Sequence, residues 1–274
     1  MRKPDPRIYQ ISVLSSLLFY GYLKLDINSD IAKCVLIIST VLTTQLIFTR
    51  LFKTGRFDPK SPLISGLSLC LLMRADSLFL VVLCCVITIG SKFVLRWKGK
   101  HIFNPTNIAI TSTLILSNGV WISPGQWGNT AFLGFLIACI GGLVVNRANR
   151  SDVTYAFMFF YSALLLGRAV WLGDPLSIPF HQMQNGALLI FTFFMISDPK
   201  TTPDTRKGRI LFAFMVSVIA YSFQFMLFNT NGLFYALSIC STTVPLIDFI
   251  FRGRKYEWNR SMNINLVKHK EVFT

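Results

Sequence analysis

The chain has 274 residues, 53% hydrophobic and only 14% charged, where a soluble domain carries about a quarter charged residues. That leaves too little polar surface to cover a water-soluble globule. The net charge of +15 comes in short runs between apolar stretches, with no basic face on a soluble fold, which excludes a nucleic-acid-binding module.

Ten apolar spans are predicted in chain order, at 8–24, 31–49, 61–73, 77–95, 103–118, 129–145, 153–172, 179–197, 209–228 and 231–251. The third is short for a crossing, which takes about 20 residues. The fifth and eighth begin after or beside a proline. The basic start, MRKPDPR, is followed by no small-residue cleavage site, so the first span is expected to be a retained helix. Cys34, Cys70, Cys84, Cys85, Cys139 and Cys240 all lie within spans, and none is spaced as C-x-x-C. They read as small buried hydrophobes, not as disulfides or metal ligands.

Charge orients the spans. Apart from Lys24, Lys33, Arg74 and Arg168, every cation falls at the N-terminus, in every second connection or in the tail after residue 251. The positive-inside rule then predicts a multi-pass bacterial inner-membrane protein with both termini in the cytoplasm. Halving the chain gives two five-span units of opposite direction, approximately 1–120 and 129–255, with a short cytoplasmic tail, 256–274. A weak self-similarity supports the inversion. Phe57-Asp58-Pro59 precedes the third span and Gly173-Asp174-Pro175 precedes the eighth; Met73-Arg74-Ala75-Asp76 and Met195-Ile196-Ser197-Asp198 follow them. Inverted repeats with short or Pro-interrupted helices point to a site at the repeat interface. The predicted fold is an all-α membrane protein in a single domain.

Three segments carry chemistry. In Gly99-Lys100-His101-Ile102-Phe103-Asn104-Pro105-Thr106-Asn107, Asn104 suits a helix cap and Pro105 a first turn; exposed amides beside Lys100 and His101 favour an anion, but on the residues alone a capped helix with cations at the headgroups is the stronger reading. In Ser197-Asp198-Pro199-Lys200-Thr201-Thr202, Asp198 sits at a helix C-terminus, where the helix dipole disfavours it, so a partner or ligand is expected; a plain turn is the competing reading. In Thr243-Val244-Pro245-Leu246-Ile247-Asp248, an acid lies in or near the apolar zone, either functional or paired with Arg252 and Arg254. No residue is assigned a bond-breaking role and no metal site is expected. Trp121 and Trp127, in an uncharged outer loop, read as interfacial anchors.

The segments GKHIFNPTN (99–107), FMISDPKTT (194–202) with RKGRILF (206–212), and TVPLID (243–248) together resemble a family of respiratory membrane proteins. It comprises RnfD of the Rnf ferredoxin:NAD oxidoreductase and NqrB of the sodium-pumping NADH:quinone oxidoreductase. The resemblance implies ten helices in two inverted repeats, similar to urea transporters, and a redox component working with other membrane subunits. It also implies a flavin, riboflavin or FMN, with Lys100, His101, Asn104, Asp198, Thr201 and Thr202 around it. Members with covalent FMN attach it to the Thr of Ser-Gly-Ala-Thr. The matching stretch here is Asn185-Gly186-Ala187-Leu188, and leucine has no hydroxyl to form that ester, so the flavin is expected to be held non-covalently. The chain thus looks like a divergent or stand-alone member. The rival expectation from this fold is a transporter or channel for a small solute or for a flavin itself.

Overall fold

The computed structural model describes residues 5–24, 31–123, 141, 142, 144–146, 148 and 150–256. In chain order these form α1 (Pro6–Lys24), α2 (Ile31–Leu51), α3 (Lys60–Leu72), β1 (Met73–Ala75), α4 (Leu78–Val94), β2 (Arg96–Trp97), β3 (Lys100–His101), α5 (Pro105–Leu116) and β4 (Val120–Ile122). Then come α6 (Ser151–Leu172), α7 (Ser177–Met183), α8 (Gly186–Ile190), which runs into a π-helical turn Phe191–Met195, α9 (Arg206–Phe225) and α10 (Gly232–Ile250). The predicted sixth span lies outside the described residues except at its end, and Trp127 lies outside them.

Among the described residues, four helices, α2, α6, α9 and α10, are long and apolar enough to cross a membrane. α3, α4, α5 and the α8–π segment are apolar but shorter. The first set of helices packs α1 on α3, α2 on α3 and α4, and α4 on α5; the second packs α9 on both α6 and α10. α5 joins the two sets by packing on α10. Their seam is polar: the Asn107 amide donates to the Phe234 carbonyl (3.0 Å) and the Ser238 hydroxyl (2.7 Å), which donates to Thr111 (3.0 Å).

α3 and the α8–π segment are the buried pieces. α3 is buried from Ser65 to Leu72, and every residue from Gly186 to Met195 is buried. A helix that is apolar all round belongs inside protein. Such a short helix leaves terminal backbone groups at depth, where water cannot satisfy them. At the end of α3 an antiparallel ladder solves this, with Met73↔Ile122, Arg74↔Trp121 and Ala75↔Val120. The Ser123 amide donates to the Leu72 carbonyl (2.8 Å), completing the pairing at the helix end.

One expectation needs correction. The eighth span, 179–197, is not one helix. α7 stops at Met183, and Asn185 adopts an extended conformation in which its side-chain oxygen accepts from the amides of Ala187 (2.8 Å) and Leu188 (3.4 Å), starting a new helix. The fourth connection also carries a strand pair that an all-α reading does not include. β2 and β3 form a two-residue hairpin, pairing Arg96↔His101 and Trp97↔Lys100. Lys98 (φ 48°) and Gly99 (φ 81°) both have positive φ, as the tight turn that suits strand twist requires. Asn104, by contrast, caps α5 as its sequence suggests, accepting from the Asn107 amide at 3.1 Å, with Pro105 in the first turn.

Candidate functional site

One end of the molecule gathers the start of α1, α3, α5, α6 and α9 and the end of α4, the π turn and α10. Lys60 pairs with Asp5 (3.0 Å), and the Lys92 ammonium, at the end of α4, donates to the Ser61 hydroxyl (3.1 Å) and carbonyl (3.3 Å) at the start of α3. Lys33, at the far end of α3, donates to the Ala75 carbonyl at 3.2 Å.

The centre of this end is the loop 196–205. Asp198 accepts from the Lys200 amide on Oδ1 (3.0 Å) and faces the Asn104 amide on Oδ2 (3.4 Å). Its carbonyl accepts from the amides of Thr201 (3.2 Å) and Thr202 (3.1 Å) and from both their hydroxyls. Thr201 and Thr202 are buried, and their polar groups build the turn. Two buried arginines hold the loop. Arg150 donates to the Thr202 hydroxyl (3.0 Å) and the Pro199 carbonyl (3.3 Å), and its guanidinium lies 4.9 Å from the Tyr256 ring centre. Arg209 donates to the carbonyls of Asp204 (2.9 Å) and Pro203 (3.4 Å) while gripping the Asp152 carboxylate with Nε (2.9 Å to each oxygen) and Nη2 (2.6 Å).

Lys100 is engaged from the opposite side. Its ammonium meets Asp204 at 2.9 Å and Asp248 at 2.6 Å, and the second oxygen of Asp248 accepts from the Asp204 amide at 2.8 Å. Asp248 therefore pairs with the hairpin lysine, not with Arg252 or Arg254.

Three spaces open around these groups. A cavity of about 90 Å³ is bounded by Ser61, Lys92, Asn104, Phe193 and Asp198 among others. A crevice of about 690 Å³ runs between the hairpin and the end of α10, and a space of about 170 Å³ lies beside Lys200 and Tyr256. His101 borders all three. The six sequence-predicted residues thus divide: Asn104 and Asp198 meet at the small cavity, Lys100 lines the large crevice, His101 stands at the junction, and Thr201 and Thr202 support the loop.

Burial, reinforced by the charges of Lys200, Arg96 and Lys92, pushes the His101 imidazole down from 6.5 to about 3, and its Nδ1 is buried without a hydrogen-bond partner among the described residues. Burial raises Asp198 against the opposing pull of the Lys200 amide and nearby cations, and it lowers Lys200. For His101 the sign is definite. The unfolded chain takes up a proton near 6.5 and the folded one only near 3, so stability is full above pH 6.5 and falls as pH drops towards 3. Thermal unfolding in detergent should show that loss, and His101→Gln should flatten it across the same window.

Sequence reasoning misses Asp152 and Asp204. Asp152 has one local signal, an acid in the first turn of α6. Nothing local marks Asp204.

Residues 118–257 match the model of the NQR2, RnfD, RnfE family. The chain belongs to this family. Among relatives, the D component of the ion-translocating oxidoreductase complex of Citrobacter koseri is 29% identical over 133 residues, 48% of this chain and 36% of that protein. The corresponding components from Klebsiella pneumoniae and Salmonella newport are 30% and 29% identical over 135 residues. The match spans 36% of the length of these relatives. Family membership, with the long apolar helices, makes this a multi-pass membrane protein. The region matched to the NQR2, RnfD, RnfE family contains Asp198–Thr202 and Asp248; the Lys100–Asn107 entrance lies before it.

Proposed function

We propose that this chain is a membrane subunit of an electron-transporting oxidoreductase assembly, and that it holds riboflavin or FMN without a covalent bond at the cavity between Asn104 and Asp198. The carrying observation is the meeting of those two side chains at 3.4 Å, from segments 94 residues apart, beside a cavity walled by Phe193 and Phe194. The donor set suits the group. A flavin's polar edge is rich in acceptors, which Asn104, Lys92 and Lys200 can serve, and Asp198 can accept its single ring N–H. The Nδ1 of His101, without a hydrogen-bond partner among the described residues, is a further polar atom at the same wall. The volume of about 90 Å³ is well below the roughly 300–1,000 Å³ of small-molecule sites, so admitting the ring requires the walls to part. Bound there, a flavin supplies one- and two-electron transfer. The chain's own part is to position the ring, exclude water and fix the charge around it. Leu188, buried in the first turn of α8, offers no attachment hydroxyl.

The topology proposed is ten spans in two inverted five-span units in the bacterial inner membrane, with both termini cytoplasmic and other membrane subunits as partners. Its support is the two short buried helices, α3 and α8, in corresponding places, and the gathering of cations at the end reached by every second connection. The names of the relatives support the assembly.

An optical spectrum of the detergent-solubilised protein is the test. A flavin band released intact by denaturation is expected. Asn104→Ser keeps the helix cap but loses the amide donor, and should weaken riboflavin retention about tenfold. A colourless preparation from flavin-replete cells, or solute uptake into proteoliposomes with no redox partner, would sink the proposal.

A further inference from the structure

The crevice of about 690 Å³ between the β2–β3 hairpin and the end of α10 is separate from the Asn104–Asp198 cavity. Its walls divide by chemistry. Ile102, Val244, Leu246 and Phe249 form an apolar side, and Leu246 and Phe249 are 60% and 67% exposed, which places them against lipid at the end of a membrane helix. Trp97, 55% exposed, stands at the mouth, where an indole prefers the membrane interface. Lys98, Arg252 and Lys255 form a cationic rim. The rim is held in place: the Lys255 ammonium donates to the Lys98 carbonyl at 2.6 Å, and the Arg252 guanidinium lies 5.8 Å from the Phe249 ring centre. The two carboxylates in the lining, Asp204 and Asp248, are both turned onto Lys100. Among the described residues, no carboxylate pairs with Lys98, Arg252 or Lys255.

We propose that this crevice binds an anionic phospholipid, with the headgroup phosphate among Lys98, Arg252 and Lys255 and the first acyl carbons along Val244, Leu246 and Phe249. The charge complementarity selects the headgroup, and the apolar wall, continuous with the lipid-facing side of α10, selects a lipid over a free anion. Positive charge beside a cytoplasmic membrane helix end attracts anionic lipid generally. What this crevice adds is concavity, a fixed rim, and a lining whose cations, Lys98, Lys100, Arg252 and Lys255, outnumber its two carboxylates.

Native mass spectrometry of the detergent-solubilised full chain, titrated with phosphatidylglycerol and with phosphatidylcholine, tests it. Phosphatidylglycerol should bind about tenfold more tightly. The double variant Arg252→Gln/Lys255→Gln should lose that preference, Arg252→Gln alone should lose part of it, and Lys53→Gln, an exposed cation in another connection, should leave it intact. Inorganic phosphate at the same concentration should not displace the lipid. Equal binding of the two lipids, a preference that survives the double variant, an equal loss in Lys53→Gln, or displacement by phosphate would each overturn the proposal. Matching unfolding midpoints for Arg252→Gln and the parent chain separate lost binding from lost folding, and the flavin spectrum should be unchanged in both rim variants.

Discussion

Asp152→Asn will destabilise the folded chain by about 3–5 kcal/mol, the cost of removing one partner from a buried ion pair. Asp152 is the only carboxylate that Arg209 contacts among the described residues, and both side chains are largely shielded, at 17% and 10% exposure. Without it a guanidinium stays buried against the carbonyls of Pro203 and Asp204 with no countercharge. Because the same guanidinium holds those carbonyls, the loop 196–205 should loosen too, and proteolysis there should quicken. The double variant Asp152→Asn/Arg209→Met removes both charges and should recover much of the loss, since an apolar replacement of a whole buried pair is often near neutral. Chemical unfolding in detergent measures both. A cost below about 1 kcal/mol for the single variant would mean that the pair behaves as a solvent-screened contact.

Lys100→Met should be of similar size for the opposite reason. It leaves Asp204 and Asp248 facing one another with no cation between them, both side chains less than a fifth exposed. Adding Asp248→Asn removes one of the two like charges, while its side-chain oxygen can still accept from the Asp204 amide, so most of the stability should return. If the second substitution fails to rescue the first, repulsion between the two acids is not the cause. Flavin retention gives an independent readout: Lys100 does not border the Asn104–Asp198 cavity, so Lys100→Met at a temperature where it stays folded should keep the flavin band.

The sequence and the structure agree where the signal is local or periodic. Apart from the sixth span, which lies outside the described residues, and the eighth, the helix limits follow hydrophobic length, and α5 starts where Asn104-Pro105 says it should. The alternation of cations matches the end of the molecule at which Lys60, Lys92, Lys100 and Arg150 gather. Where they diverge, the deciding contact is either a local one that carries a second meaning or a remote one. Asn185-Gly186, read in the sequence as the counterpart of a flavin-attachment motif, is a helix start that cuts the eighth span in two. Lys98-Gly99, part of a basic run in the sequence, is a hairpin turn. Asp248 has Arg252 and Arg254 close by in sequence, yet its cation comes from 148 residues away. No spacing rule within one helix reaches that far, and the Asp152–Arg209 grip, 57 residues apart, is hidden for the same reason.

The Lys100 contact ties residue 100 to residues 204 and 248, so it rivets the early part of the chain to the late part. A carrier that rocks one bundle against the other would have to pull that rivet out and reseat it in every cycle, breaking a largely shielded three-way ionic knot each time. Left in place, the same rivet holds the spacing between those parts of the chain constant.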